Sequence, residues 1–183
     1  HEGSIYCAME LVECGSLKEV LQKRGELPWR EAVEVAIPLC QALEHAHEKG
    51  CVHRDLKPAN LYLSEDGLVK LGDLGLARDL NEDRLTQQGQ TVGTWRYMAP
   101  EQIRGGDITP QTDLYALGCV LYELLTGKPP FMGNTPAATM HMHCSSATPR
   151  VTQDALDCPP ALEQIVQKLM AKEPTRRPAD AAT

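Results

Sequence analysis

Aromatic residues are scarce in this sequence of 183 residues, which has two Trp, five Tyr and a single Phe, Phe131. Hydrophobic residues nevertheless make up 42% of the chain, which is ordinary for a folded protein and unlike a disordered one. A core must therefore be built chiefly from Leu, Val, Ile, Met and Ala. The length allows one domain with a sizeable core.

Positive charge is also in the minority, with 18 Lys and Arg against 25 Asp and Glu and a formal net charge of −7. That balance argues against a partner that is a nucleic acid or an anionic membrane surface. The longest apolar stretch, residues 116–122, is far shorter than the ~20 residues that span a bilayer. We therefore expect no membrane segment in this chain, and no secretory signal peptide opens it.

Paired cysteines are absent as well. The seven cysteines are an odd number, lie far apart and include no C-x-x-C pair, so neither a disulfide framework nor a zinc site is indicated. Reduced thiols in a cytoplasmic protein are expected.

Hydrophobic periodicity predicts a mostly helical chain. Residues 16–19 read SLKE, the S-x-x-E form of a capping box, and open a short helix that ends at Gly25. Apolar stripes of helical spacing cover residues 29–49, 114–125 and 162–170, and Thr135 followed by Pro136 predicts a helix through Met140. Pro38 lies inside the second helix and is expected to kink it or to cost about 3 kcal/mol.

Short strands are predicted between the helices. Residues 5–9 form a brief apolar run, and residues 61–63 and 68–71 flank an Asp-Gly turn that is typical of a β-hairpin. Residues 72–100 show no periodicity, and an irregular segment of that length in a compact domain is usually functional or mobile.

Three motifs follow one another in the part of the chain with the hairpin. HRDLKPAN occupies residues 53–60, DLG residues 73–75 and APE residues 99–101. The ordered set resembles the protein kinase signature of H-R-D-L-x-x-x-N, D-F-G and A-P-E. The phrasing of residues 53–60, 97–102 and 124–131 is most similar to bacterial Hanks-type serine/threonine kinases.

The resemblance implies an α+β protein-kinase-like fold, in which a mainly α-helical C-lobe carries short β-hairpins. Residues 1–12 would be the last N-lobe strand and the hinge, and residues 13–183 a C-lobe truncated in its final helix. No glycine-rich loop and no V-A-I-K lysine precede Ile5, so we expect most of the N-lobe to be missing. Such a fragment would bind nucleotide weakly and catalyse little alone.

The same resemblance implies an ATP- and Mg²⁺-dependent kinase that acts on Ser and Thr of protein substrates. Asp55 would accept or orient the proton of the substrate hydroxyl, and Lys57 would contact the transferred phosphate. Asn60 and Asp73 would bind Mg²⁺ through hard oxygen ligands. Thr94 would link its loop to Asp55 and Lys57, which favours Ser/Thr over Tyr specificity.

Nucleotide-binding residues are implied at the hinge. Met9, Glu10 and Val12 would lie against the adenine, and Tyr62 stands where the family usually has a Leu beneath the ring. Leu74 replaces the usual Phe of D-F-G, but the metal ligand Asp73 is intact, so we expect activity to be tolerated.

Four residues are expected to have structural roles. His53 begins the catalytic loop motif, and Asp113 matches the Asp that holds the backbone of that loop. Arg177 matches the Arg that pairs with the glutamate of A-P-E, here Glu101, and removing one partner of such a buried pair would cost about 3–5 kcal/mol.

An activation loop is expected in the polar run of residues 79–90. Phosphorylation at Thr91, or secondarily at Thr86, would give a phosphate that Arg54 could bind. A dimer that phosphorylates itself in trans would be a natural partner arrangement.

Two other functions are also compatible with the sequence. A pseudokinase or docking module would keep the fold without the activity, although the intact Asp55, Asn60 and Asp73 argue against it. A small-molecule phosphotransferase of the aminoglycoside kinase type shares the Asp-to-Asn spacing, but Lys57 and residues 93–101 argue against that function.

Histidine pairs two residues apart are not read as metal sites, because residues i and i+2 do not share a helix face. His45 is expected to face solvent and His47 to be packed, and the same holds for His141 and His143.

Overall fold

The computed structural model describes residues 10, 12–65, 67–73 and 93–182. The strand predicted over residues 5–9 lies outside them. Six helices and two strands are found in the described ranges: α1 Leu17–Arg24, α2 Trp29–Glu48, β1 Leu61–Leu63, β2 Val69–Leu71, α3 Pro100–Arg104, α4 Pro110–Thr126, α5 Pro136–Ser145 and α6 Pro160–Leu169. Short 3₁₀ turns lie at Pro58–Asn60, Thr94–Arg96, Val151–Gln153 and Pro174–Arg176.

Helix α4 forms the centre of the core, and almost all of its residues are buried. Helix α6 packs closely on it at Gly118, where an added Cβ would lie 2.7 Å from Met170 Cγ and 2.9 Å from Leu169 Cβ. The helix ends at Gly127, whose positive φ of 71° places it in the left-handed region that favours glycine. A helix buried on all sides gives the rest of the fold a fixed support.

The capping box predicted at the start of α1 is present. The backbone N–H of Ser16 donates to Glu19 Oε2 at 3.1 Å, which satisfies one of the donors that a helix start leaves open. Helix α2 packs against both α4 and β2. It runs unbroken through Pro38, so the proline is accommodated within one continuous helix.

The hairpin of β1 and β2 is antiparallel, with Leu61 opposite Leu71 and Leu63 opposite Val69. It follows directly after the loop that carries HRDLKPAN. Its far end returns to that loop, because the Gly72 N–H donates to the Asn60 carbonyl at 2.9 Å. The hairpin therefore brings the residues of two distant motifs side by side.

Two helix boundaries differ from the sequence prediction, and one short helix is additional to it. Helix α5 continues to Ser145 rather than ending at Met140, and α4 begins at Pro110, before its first apolar periodic residue. Helix α3 was not predicted, because five residues are too few to show a helical period. The later part of α5 is held by His143, which is fully buried.

The expected mainly helical fold with a short hairpin is confirmed. No helix in the described ranges is long and apolar enough to cross a membrane. The six cysteines that the structure describes are all free thiols. His45 and His141 are exposed and His143 is buried, while His47 is partly buried, in agreement with the interpretation of the two pairs.

Candidate active site

Three residues of the loop between α2 and β1 meet one another and a fourth residue, Thr94, from a later turn. Lys57 donates through Nζ to Asp55 Oδ2 at 2.6 Å and to Thr94 Oγ1 at 3.0 Å. Asn60 donates through Nδ2 to the Asp55 carbonyl at 2.9 Å and to Asp55 Oδ2 at 3.3 Å. All four residues were singled out from the sequence, and the structure brings them together around one carboxylate.

Burial differs among these side chains in a useful way. The side chain of Lys57 is 7% exposed, whereas that of Asp55 is 28% exposed. A buried ammonium needs a close anionic partner, and Asp55 supplies it. The carboxylate itself stays accessible from solvent, so a second molecule can reach it.

The backbone of this loop is strained at Arg54, whose φ of 71° is unusual for a residue with a side chain. Asp113 of α4 holds it: Oδ1 accepts from the Arg54 N–H at 2.9 Å, and Oδ2 accepts from the His53 N–H at 2.8 Å. Because Asp113 is buried on the central helix, the loop is fixed to the core.

Two residues that the sequence did not single out for the site complete this support. His47 of α2 lies with Nε2 at 2.8 Å from Asp113 Oδ2. Gln102 of α3 donates to the Arg54 carbonyl at 2.8 Å and accepts from the Ala99 N–H at 2.9 Å. The strained residue is thereby held at both its N–H and its carbonyl.

The residue before the second motif is tied to the same loop. His53 Nε2 lies 2.8 Å from the Gly72 carbonyl, and the Gly72 N–H is bound to Asn60. Asp73 follows with a positive φ of 56°. These contacts set Asn60 and Asp73, the two predicted metal ligands, on adjoining segments of backbone.

The described part of the predicted nucleotide site lies beside the hairpin. Tyr62 packs so closely on Gly72 that an added Cβ there would lie 2.4 Å from Tyr62 Cε2. Glu10 is salt-bridged to Lys70 of β2, and Val12 is partly buried. The predicted residues Met9, Leu74, Thr86 and Thr91 lie outside the described residues.

Glu101 and Arg177 form a bidentate salt bridge, with Arg177 Nη1 at 2.6 Å from Glu101 Oε1 and Arg177 Nη2 at 2.8 Å from Glu101 Oε2. Arg177 also donates to the carbonyls of Ala171, Gln111 and Lys172. Burial acts to raise the pKa of Glu101, but hydrogen bonds from Arg177 hold it below its ordinary value. The pair joins α3 to the segment after α6.

A second polar cluster lies in the core, around His143 of α5. Its Nδ1 is 2.9 Å from the Tyr115 hydroxyl, and its ring meets Phe131 edge-on with centroids 4.9 Å apart. Lys172 Nζ lies 4.3 Å from the centroid of Phe131. Burial, with the charge of Lys172, lowers the pKa of His143 to about 4. His143 is therefore a neutral core residue.

Comparison with known proteins accounts for the order of these motifs. Residues 1–182 match the family model described as the protein kinase domain. Over 179 residues the chain is 39% identical to the serine/threonine-protein kinase PknB of Mycolicibacterium smegmatis. This match covers 97% of this chain and 29% of the relative. Over 176 residues it is 39% identical to the serine/threonine-protein kinase PknL of Mycobacterium tuberculosis, covering 96% of this chain and 44% of the relative.

The chain thus spans less than half the length of these curated relatives. The match to the family model nevertheless extends over nearly every residue of the chain. The chain belongs to the protein kinase family.

Proposed function

We propose that the protein is an ATP-dependent serine/threonine kinase, which transfers the γ-phosphoryl group of ATP to a Ser or Thr hydroxyl of a protein substrate. The observation that carries the proposal is the position of Lys57 between Asp55 and Thr94. The relatives PknB and PknL are themselves named serine/threonine-protein kinases, which supports it.

Asp55 would orient the attacking hydroxyl and accept its proton. Phosphoryl transfer asks for little covalent help from the protein, so catalysis depends on positioning and on neutralising charge. The Asp55 carboxylate is held by Lys57 and Asn60 and is still partly exposed. It therefore has a fixed direction and an open side from which a substrate hydroxyl can approach.

Lys57 would place a positive charge beside the phosphoryl group in transfer. Its ammonium is held in place by Asp55 and by Thr94, so no reorganisation is needed when charge develops. Thr94 belongs to the 3₁₀ turn Thr94–Arg96 and couples this turn to the catalytic loop.

Asn60 and Asp73 fit a Mg²⁺ ion as oxygen ligands. The Asn60 Nδ2 donates to Asp55, which directs its amide oxygen to the other side of the group. No cluster of three or more His, Cys, Asp or Glu in the described ranges forms a self-contained metal site, and Mg²⁺ usually takes its other ligands from substrate phosphates and water. Bound Mg·ATP would supply the transferable phosphoryl group and neutralise its charge.

The adenine would lie between the hinge and the hairpin. We assign Met9, Glu10 and Val12 to its edge and Tyr62 to its floor, where the aromatic ring would be larger than the Leu usual in the family. The contact of Tyr62 with Gly72 supports a fixed position for this ring.

Regulation by phosphorylation at Thr91 or Thr86, with Arg54 as the phosphate-binding residue, is part of the proposal. Self-phosphorylation in trans within a dimer would supply it. Arg54 is partly buried beside Asp55, so a phosphate bound there would act directly on the loop that carries the catalytic residues.

The test is a phosphate-transfer assay on the full-length protein with Mg·ATP and a protein substrate, with the Asp55→Asn variant as the matched control. Loss of the carboxylate should lower transfer about 10²- to 10⁴-fold. Transfer by the natural protein that does not exceed that of Asp55→Asn would favour a pseudokinase. Phosphorylation of an aminoglycoside but of no protein would indicate a small-molecule phosphotransferase.

A further inference from the structure

A cleft of about 470 Å³ opens beside the catalytic loop. Its walls come from α1, the 3₁₀ turn Thr94–Arg96 and the end of α4. Lys57 lies in this wall, so the cleft adjoins the place where the phosphate-accepting hydroxyl would be held. We call it the cationic cleft, because Lys18, Lys57 and Arg96 line it.

Among the described residues that line the cleft, the single carboxylate is Glu123, and it already has a hydrogen-bond partner. It accepts a hydrogen bond from the Tyr97 hydroxyl, and burial raises the pKa of both groups. Within the described lining, three cations thus face one carboxylate that has a partner, in a protein whose net charge is −7. The cleft carries a positive surplus that the overall composition does not predict.

Two of the three cations are not held in a salt bridge within the described part of the chain, although the charge of Arg96 acts on Glu123 and opposes the rise of its pKa. Lys57 is paired with Asp55, but neither Lys18 nor Arg96 forms a salt bridge there. Lys18 is exposed, and Arg96 is partly buried two residues after Thr94. Gln22 lies one turn beyond Lys18 on the same face of α1 and also lines the cleft.

We propose that the cationic cleft is a substrate subsite that binds an acidic side chain of the protein substrate, close in sequence to the Ser or Thr that is phosphorylated. This rests on the proposed kinase function and names its substrate class. Asp, Glu and an already phosphorylated residue share the required chemistry, which is an anionic group with several oxygen acceptors.

The chemistry of the lining fits that ligand. The guanidinium of Arg96 offers paired N–H donors to a carboxylate or phosphate, and the ammonium of Lys18 adds a mobile point charge. An extended peptide advances about 3.3–3.6 Å per residue. Residues near the phosphate acceptor can therefore reach the cleft while the acceptor hydroxyl lies at Asp55.

The test compares matched peptides on the full-length protein. One peptide has a single Thr among neutral residues, and the others carry one Glu, or one phosphoserine, at each neighbouring position in turn. The quantity measured is kcat/KM for each acidic peptide divided by kcat/KM for the neutral peptide. At least one position should give a ratio of about fivefold, as expected for two partly exposed charge-assisted contacts.

Variants locate the effect. The Lys18→Gln, Arg96→Gln double variant should bring that ratio close to one, and the charge-reversed Lys18→Glu, Arg96→Glu protein should prefer a Lys-containing peptide. Lys23→Gln is the matched control, because Lys23 is an exposed lysine of the same helix that does not line the cleft. It should keep the natural ratio.

A ratio near one at every position overturns the proposal, and so does an equal loss of the ratio in Lys23→Gln. Binding of fluorescent versions of the peptides, followed by anisotropy, separates the subsite from the kinase activity. Acid-selective binding that is lost in the double variant supports the cleft even if no phosphate is transferred. Equal binding of acidic and neutral peptides overturns it even if the kinase is active.

Discussion

Replacing His143 with Asn should make the stability of the protein less sensitive to acid. His143 is fully buried, and burial together with Lys172 lowers its pKa from 6.5 to about 4. His143 of the unfolded chain therefore becomes protonated near pH 6.5, whereas in the native chain it stays neutral until the pH is near 4. The free energy of unfolding falls as the pH drops through 6.5 and stops falling from this cause near pH 4.

The magnitude follows from these two pKa values. Relative to alkaline pH, proton linkage at His143 lowers the free energy of unfolding by about 0.2 kcal/mol at pH 7 and by about 2 kcal/mol at pH 5. Asn keeps an acceptor for the Tyr115 hydroxyl, which His143 now contacts at 2.9 Å, but it does not titrate. The variant will be less stable at pH 7, since the ring that packs on Phe131 is lost.

The assay is urea denaturation of the 183-residue chain at pH 7 and at pH 5. The loss between the two pH values should be about 2 kcal/mol smaller in His143→Asn than in the natural chain. His141→Asn, on the exposed face of the same helix, is the control and should keep the natural pH dependence. Equal losses in the natural chain and in His143→Asn would refute the reasoning.

Three further outcomes are expected. Arg177→Met should lower the free energy of unfolding, measured by chemical denaturation, by about 3–5 kcal/mol, because it leaves a buried carboxylate without its partner. Arg176→Met, a change at the exposed neighbouring residue, should cause no comparable loss. Gln102→Leu removes the donor to the strained loop carbonyl and should lower kcat about tenfold with little change in KM, measured on the full-length protein; an effect confined to KM would contradict a positioning role. Gly72→Ala brings a methyl group within 2.4 Å of the Tyr62 ring and should lower the free energy of unfolding by about 1–3 kcal/mol. Adding Tyr62→Leu should largely restore the stability in thermal unfolding. If the second change gives no rescue, the clash is not the cause.

The site residues that could be predicted are those that lie in the ordered motifs. Asp55, Lys57 and Asn60 share one short loop, and Glu101 could be matched with Arg177 only because both belong to known motifs. The contact between them joins positions 76 residues apart, which no local periodicity would indicate.

Support of the loop by other elements was harder to predict. His47 reaches Asp113 across 66 residues, and Gln102 reaches Arg54 across 48. The apolar pattern of α2 indicated that His47 is packed, but the sequence does not indicate which residue a packed histidine contacts. Gln102 lies on a helix too short to show a period, and the charges of the cationic cleft come from three separate elements.

Asp113 makes the position of the loop that carries Asp55 independent of the exposed residues around it. Its carboxylate anchors the backbone at His53 and Arg54 to the most deeply buried helix, so the position of this loop depends on the core and not on the surface. Exposed positions on α1, such as Lys18, can then be substituted without moving this loop. Under the proposed function, the residues that select a substrate can therefore change while Asp55, Lys57 and Asn60 keep their positions.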